Sequence, residues 1–193
     1  MDAHEEGVVT RARDGDEGAF QSLVERHSRS LFHLAYRITG NEADAEDVVQ
    51  ETFLKAYRSL DRYESRANFG TWLHRIAANC AVDATRTRKR RGEHREAARP
   101  SEADQGDPIE SLPSATPAPD RLLMSAEIQT RVAGAMARLT PRERAAFVLR
   151  HFEQRSIEEI GATLSLRENA TKQSIFRAVR KLREALEPFT TQR

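Results

Sequence analysis

Near the C-terminus, Lys172, Gln173, Phe176, Arg177, Arg180 and Lys181 recur at spacings that place them along one side of a helix. Cations so arranged neutralise phosphates. An amide among them can make paired hydrogen bonds to adenine, and lysine can reach the acceptors of guanine. The chemistry suggested is recognition of duplex DNA through the major groove. A structural hairpin with a solvated basic face has the same pattern, and the spacing alone leaves both readings open.

A second group lies in the first half of the chain. Tyr63-Glu64-Ser65-Arg66-Ala67-Asn68-Phe69 mixes aromatic and polar residues, and it leads through Trp72, Arg75 and Asn79 into the run Arg86, Arg88, Lys89, Arg90 and Arg91. A loop of that composition beside cations suits capture of a base splayed from single-stranded DNA. Phe69 and Trp72 read more simply as core, whereas Asn79 and the loop do not. Upstream, Asp47, Gln50 and Glu51 share a helical surface, which serves solubility or docks on a basic helical partner.

Other chemistry is poorly provided for. The single cysteine, Cys80, cannot form an internal disulfide or a structural zinc site, and the six histidines have no paired metal spacing. Glycine-rich phosphate loops and nucleophile motifs are missing. Asp44, Glu46 and Asp47 form a carboxylate group, but on a helix outside any pocket-forming pattern. The expectation is a protein with no catalytic residues, no metal and no cofactor.

These groups need helices to position them. Phe20, Leu23, Val24, Leu31, Leu34, Ala35 and Ile38 mark one amphipathic helix, and Gly40 suits its stop. Asn41 with Asp44 opens another, along which Ala45, Val49, Phe53, Ala56 and Leu60 make the expected buried stripe. A third starts near Asn68, with Phe69, Trp72, Leu73, Ile76, Cys80 and Ala84 inward. From about Gly92 to Asp120 five prolines punctuate a stretch poor in large apolar residues, which reads as a flexible linker. Helical periodicity resumes at Leu122. Thr140-Pro141-Arg142-Glu143 and Ser156-Ile157-Glu158-Glu159 are capping-box starts, and a last helix runs from about Glu168 to Leu186. The short helix, turn and basic helix make a helix-turn-helix. The fold class is all-α, with two helical domains at 12–92 and 121–188 and an acidic, Pro-rich linker at 93–120.

Charge follows this division. The net charge of +1 conceals six acidic residues against one basic between Glu96 and Asp120, and fourteen basic against eight acidic from Arg121 onward. Two basic surfaces with an acidic tether between them suit a polyanion. No apolar run approaches the roughly 20 residues that span a bilayer, and the acidic start lacks a secretory pattern. A cytoplasmic protein with no membrane contact of its own is expected.

Taken in order, Asp47-Val-Val-Gln-Glu-Thr-Phe-Leu-Lys-Ala-Tyr57 and Phe69-Gly-Thr-Trp-Leu-His-Arg-Ile-Ala-Ala-Asn79 resemble region two of the extracytoplasmic-function (ECF) RNA polymerase sigma factors of the sigma-70 family. Arg155-Ser-Ile-Glu-Glu-Ile-Gly161, with the helix through Arg177-Ala-Val-Arg-Lys-Leu182, resembles their region four. The resemblance implies a factor that binds core RNA polymerase and directs promoter-specific initiation, held in check by an anti-sigma factor. It implies polymerase contacts at Asp47, Gln50 and Glu51. Minus-ten DNA would meet Tyr63, Ser65, Arg66, Asn68, Arg75, Asn79 and Asp83, with the backbone held by Arg86, Arg88, Lys89, Arg90 and Arg91. Minus-thirty-five DNA would meet Lys172, Gln173, Ser174, Phe176, Arg177, Arg180 and Lys181. The family often has glycine and a basic residue where Asn169 and Ser174 stand; Asn169 is expected to cap the recognition helix. An operator-binding regulator is the competing reading, and would bind duplex without polymerase. An enzyme is the other, and would act on a substrate panel.

Overall fold

Asp16 and Asn41 set where the first two long helices begin. The computed structural model describes residues 3–63, 68–96 and 130–190. In it α1 spans Ala3–Arg13, α2 spans Glu17–Thr39 and α3 spans Glu42–Ser59. Asp16 caps α2 by accepting from Ala19 N at 3.0 Å, and Asn41 caps α3 by accepting from Asp44 N at 2.9 Å. Each cap satisfies an N–H that the first turn leaves orphaned. Gly40 ends α2 in the left-handed region, at φ 69°, where a side chain would be strained. A 3-10 turn, Leu60–Arg62, closes α3, and α4 runs Phe69–Glu96.

In this first unit α2, α3 and α4 pack on one another, and α1 lies against α2 and α4. Leu31, Leu34, Ile38 and Leu73 are fully buried, with Ala35, Ala45, Ala56, Ala77 and Ala81 equally buried among them. Small residues at the contacts let helix axes approach closely. Each large apolar side chain removed from water contributes about 1.5–3 kcal/mol, and this packing, more than intrinsic propensity, holds the helices.

Three expectations shift. Along α3, Ala45, Phe53, Ala56 and Leu60 are buried, but Val48 and Thr52 take inner positions and Val49 is half-buried. The reason is that α3 meets both α2 and α4, so its inward face is broader than one row. Phe20, Val24, Trp72, Ile76 and Ala84 are likewise half-buried. The unit also begins before residue 12: Glu5, Val9 and Ala12 of α1 are buried. At its other end α4 passes the boundary expected at 92 and takes in Gly92, since a helix tolerates an interior glycine at about 1 kcal/mol.

The rest of the expected linker, and 121–129, lie outside the described residues. The chain divides into two units, Met1–Arg99 and Pro100–Arg193. In the second, α5 (130–137) is followed by α6, Pro141–His151, α7, Ile157–Leu164, and α8, Glu168–Thr190. Thr140 and Ser156 both form complete capping boxes, with Glu143 and Glu159. Gly161 permits the tight turn after α7, because a Cβ there would lie 2.9 Å from the Leu166 carbonyl oxygen. Asn169 does not cap α8. The helix begins at Glu168, Arg167 O accepts from Thr171 N, and Asn169 is exposed in the first turn. Among the described residues there is no strand, and no helix is long and apolar enough to cross a membrane.

Candidate nucleic-acid interface

On α4, Arg75, Asn79, Asp83, Arg86 and Arg90 step by four, four, three and four, which makes one face of the helix. All are exposed except Arg86, which is half-exposed. Asn79 donates one side-chain N–H to Arg75 O at 3.0 Å; its carboxamide has a second N–H and an oxygen besides, on an exposed side chain. Asp83 holds Arg86 at 3.5 Å. Lys89 and Arg91 are exposed on α4 outside that row.

Arg88 is placed differently. It continues the inward row of Ala77, Ala81 and Ala84, and its Nη1 reaches Asp44 Oδ2 of α3 at 3.1 Å. The expectation grouped all five basic residues as one backbone contact, whereas helical phase turns Arg88 toward α3.

The loop expected to receive a base is described only at its ends. Glu64 to Ala67, with Ser65 and Arg66, lie outside the described residues. Tyr63 is buried, its ring 5.4 Å from Phe69 and 5.2 Å from Trp72, so it anchors the loop from the core side. Asn68 is exposed; its Oδ1 accepts from Gly70 N at 2.8 Å and its backbone O from Trp72 N. Asn68 therefore starts α4 as its cap.

The docking candidates Asp47, Gln50 and Glu51 are exposed on α3. Beside them runs a groove between α2 and α3, lined by Phe20, Val24, Val49, Gln50, Leu54 and Tyr57. Leu54 and Tyr57 are 51% and 54% exposed. Sequence reasoning passed over both; their signal was an apolar residue outside the buried phase of α3. Lys55 sits 3.3 Å from Glu51 Oε1 and donates to the buried Cys80 Sγ at 3.4 Å. Burial opposes its charge, but these two neighbours outweigh it and hold Lys55 above its ordinary value.

In the second unit Lys172, Gln173, Phe176, Arg177 and Arg180 are exposed on α8. Lys172 pairs with Glu168, and Arg180 pairs with Glu184 at 3.5 Å. Two expected members leave this face. Ser174 is half-buried and donates to Ala170 O at 2.8 Å, and Lys181 turns inward to Glu143 at 2.7 Å. Asn169 joins instead, since Asn169, Gln173, Phe176 and Arg180 step by four, three and four. Among the described residues no cluster of His, Cys, Asp or Glu is arranged to hold a metal.

Residues 23–91 match the model of sigma-70 region 2, and residues 129–182 match that of sigma-70 region 4. The chain belongs to the ECF sigma factors of the sigma-70 family. The ECF RNA polymerase sigma factor SigE of Mycolicibacterium smegmatis is 36% identical over 93% of this chain and 67% of its own length. The RNA polymerase sigma-H factor of Pseudomonas aeruginosa is 33% identical, covering 94% of this chain and 93% of that one. The solved structure of CnrH in complex with the cytosolic domain of CnrY is 28% identical with a TM-score of 0.60, covering 94% of this chain and 96% of that one. The sigma factor's role is promoter-directed transcription initiation, and its relatives are not enzymes. Its α1 precedes the residues matched to region 2.

Proposed function

We propose that this sigma factor docks on core RNA polymerase through α3, captures an unpaired minus-ten base with the loop after Tyr63 and with Asn79, and reads minus-thirty-five duplex with α8. The observation that carries the reading is the exposed face of α4, where an amide capable of base recognition lies in one row with Arg86 and Arg90. Unstacking a base costs a few kcal/mol, which contacts from Asn79 and the loop offset while the arginines hold the backbone. On α8, Gln173 and Lys172 address base edges, and Arg177 and Arg180 address phosphates.

Docking joins the polar set Asp47, Gln50 and Glu51 to the apolar Leu54 and Tyr57, a mixture suited to an amphipathic helical partner. An anti-sigma factor covering that groove would keep the protein from polymerase, a reading supported by the relative CnrH having been solved with the cytosolic domain of CnrY. The protein acts where polymerase is, in the cytoplasm.

The test is transcription in vitro with purified core polymerase, this protein and a pooled genomic promoter library, with sequencing of the transcript starts. Starts sharing two spaced upstream elements are expected. An active core that gains no new starts would overturn the reading in favour of a polymerase-independent DNA-binding protein.

A further inference from the structure

Asn169 stands on the exposed row of α8 without a part in starting the helix. The first intrahelical bond is accepted by the Arg167 carbonyl, from Thr171 N at 3.0 Å, so Asn169 lies inside the first turn rather than at the cap. Asparagine is a poor helix former there, and its side chain is exposed. Neither helix propensity nor core packing accounts for it. Its direction is fixed by what lies beneath. Thr171 is fully buried and donates to Arg167 O at 3.2 Å. A Cβ on Gly161 would lie 3.3 Å from Thr171 Oγ1 and 2.9 Å from Leu166 O, so α7 and the turn press directly on this end of α8. With Thr171, Ala178 and Leu182 buried, helical phase turns Asn169, Gln173 and Arg180 outward together. Their polar neighbours are engaged within the helix. Lys172 pairs with Glu168, and Ser174 donates to Ala170 O at 2.8 Å. Asn169 and Gln173 are two exposed carboxamides one helical turn apart.

We propose that Asn169 is a specificity-determining residue, which reads an adenine of its own in the minus-thirty-five element beside the one read by Gln173. The inference rests on the reading that α8 enters the major groove there. A carboxamide matches adenine in that groove, because its oxygen accepts from N6 and its N–H donates to N7. One amide satisfies one adenine in this way. Four residues of helix advance about 6 Å, whereas stacked base pairs lie about 3.4 Å apart, so the two amides meet different pairs. Asn169 is the nearer to the amino terminus of α8, the end of a recognition helix that contacts base edges. Cations on the same face favour any sequence. A second amide adds a base requirement without adding charge.

The experiment uses holoenzyme formed with the full chain and a promoter library randomised across the minus-thirty-five element, with the bound fraction sequenced. Asn169→Ala should lower the preference for adenine at one position by about tenfold, the share of one paired contact. Preferences elsewhere, and the slope of log affinity against log salt, should match the wild type, since no phosphate contact is lost. An adenine analogue with carbon in place of N7, set at that position, should weaken wild-type binding and leave Asn169→Ala unaffected. Gln173→Ala serves as reference and should relax a different position. If it does so while Asn169→Ala keeps every wild-type preference, the assignment to Asn169 is overturned and reading by α8 stands. If Asn169→Ala, Gln173→Ala and Arg180→Ala all select the same sequences with wild-type affinity, the α8 reading itself fails. Equal loss on every sequence would make Asn169 a residue of the fold and would also overturn the proposal.

Discussion

Lys181 Nζ of α8 lies 2.7 Å from Glu143 Oε2 of α6, and the same carboxylate oxygen accepts from Thr140 N at 2.9 Å in the capping box. One oxygen therefore closes the start of α6 and ties it to α8. Lys181 is thus a structural residue of the second unit, although its spacing groups it with the exposed cations of α8.

Replacing Lys181 with Ala should cost stability. Glu143 would stay buried and lose its cation, but Lys181 is partly exposed and solvent screens the pair. We expect a loss of about 1–2 kcal/mol, short of the 3–5 or so for a wholly buried pair. Urea denaturation measures it. Promoter binding by the folded variant should keep its salt dependence, whereas an Arg180→Ala variant should not.

Acid should weaken the second unit through its capping boxes. Burial pushes the Glu143 carboxyl up, but the bonds from Lys181 and Thr140 prevail and leave it below its ordinary value of 4.5. Glu159 is lowered by the Ser156 backbone N–H, with its hydroxyl and Arg155 adding to this. A carboxyl lowered on folding contributes stability that is present above its unfolded value, and lost as pH falls through the folded one. Thermal melting should therefore drop below about pH 4.5. The deficit of Glu143→Gln, present at neutral pH, should shrink there; a deficit constant with pH would contradict this.

Leu54→Asp and Tyr57→Ala should each weaken polymerase binding about tenfold, a size ordinary for an apolar anchor at an interface; Leu54→Asp should leave the melting temperature unchanged, and Tyr57→Ala should lower it slightly, because the ring meets Phe20 edge to face at 5.0 Å. Both side chains are about half exposed, so little core packing is lost. Gln50→Ala with Glu51→Ala should weaken it as well. A pull-down titration reads all three, and wild-type affinity throughout would remove this face from the docking surface.

The arginine run should divide by helical phase. Arg90→Ala should reduce the slope of log affinity against log salt for promoter binding by about one, the share of a single phosphate contact. Arg88→Ala should reduce it by less, because Arg88 begins bound to Asp44. Equal slopes for the two variants would mean that DNA displaces Asp44 completely.

Residue order acts locally in this chain. Capping groups at Asn41, Thr140 and Ser156, the stop at Gly40 and the helical spacing of apolar residues act over a few positions, so the all-α class and most helix starts follow from residue order. The motif residues around Asp47, Asn79 and Gln173 were legible for the same reason. Which of them are available depends on packing between helices. Lys181 and Arg88 look like neighbouring cations until Glu143 and Asp44 come within reach from other helices. Tyr63 looks like a loop aromatic until Phe69 and Trp72 enclose it. Val49, Leu54 and Tyr57 line a groove only once α2 lies beside α3. Partner choice and burial depend on residues far apart in the chain, and no spacing rule within one helix contains them.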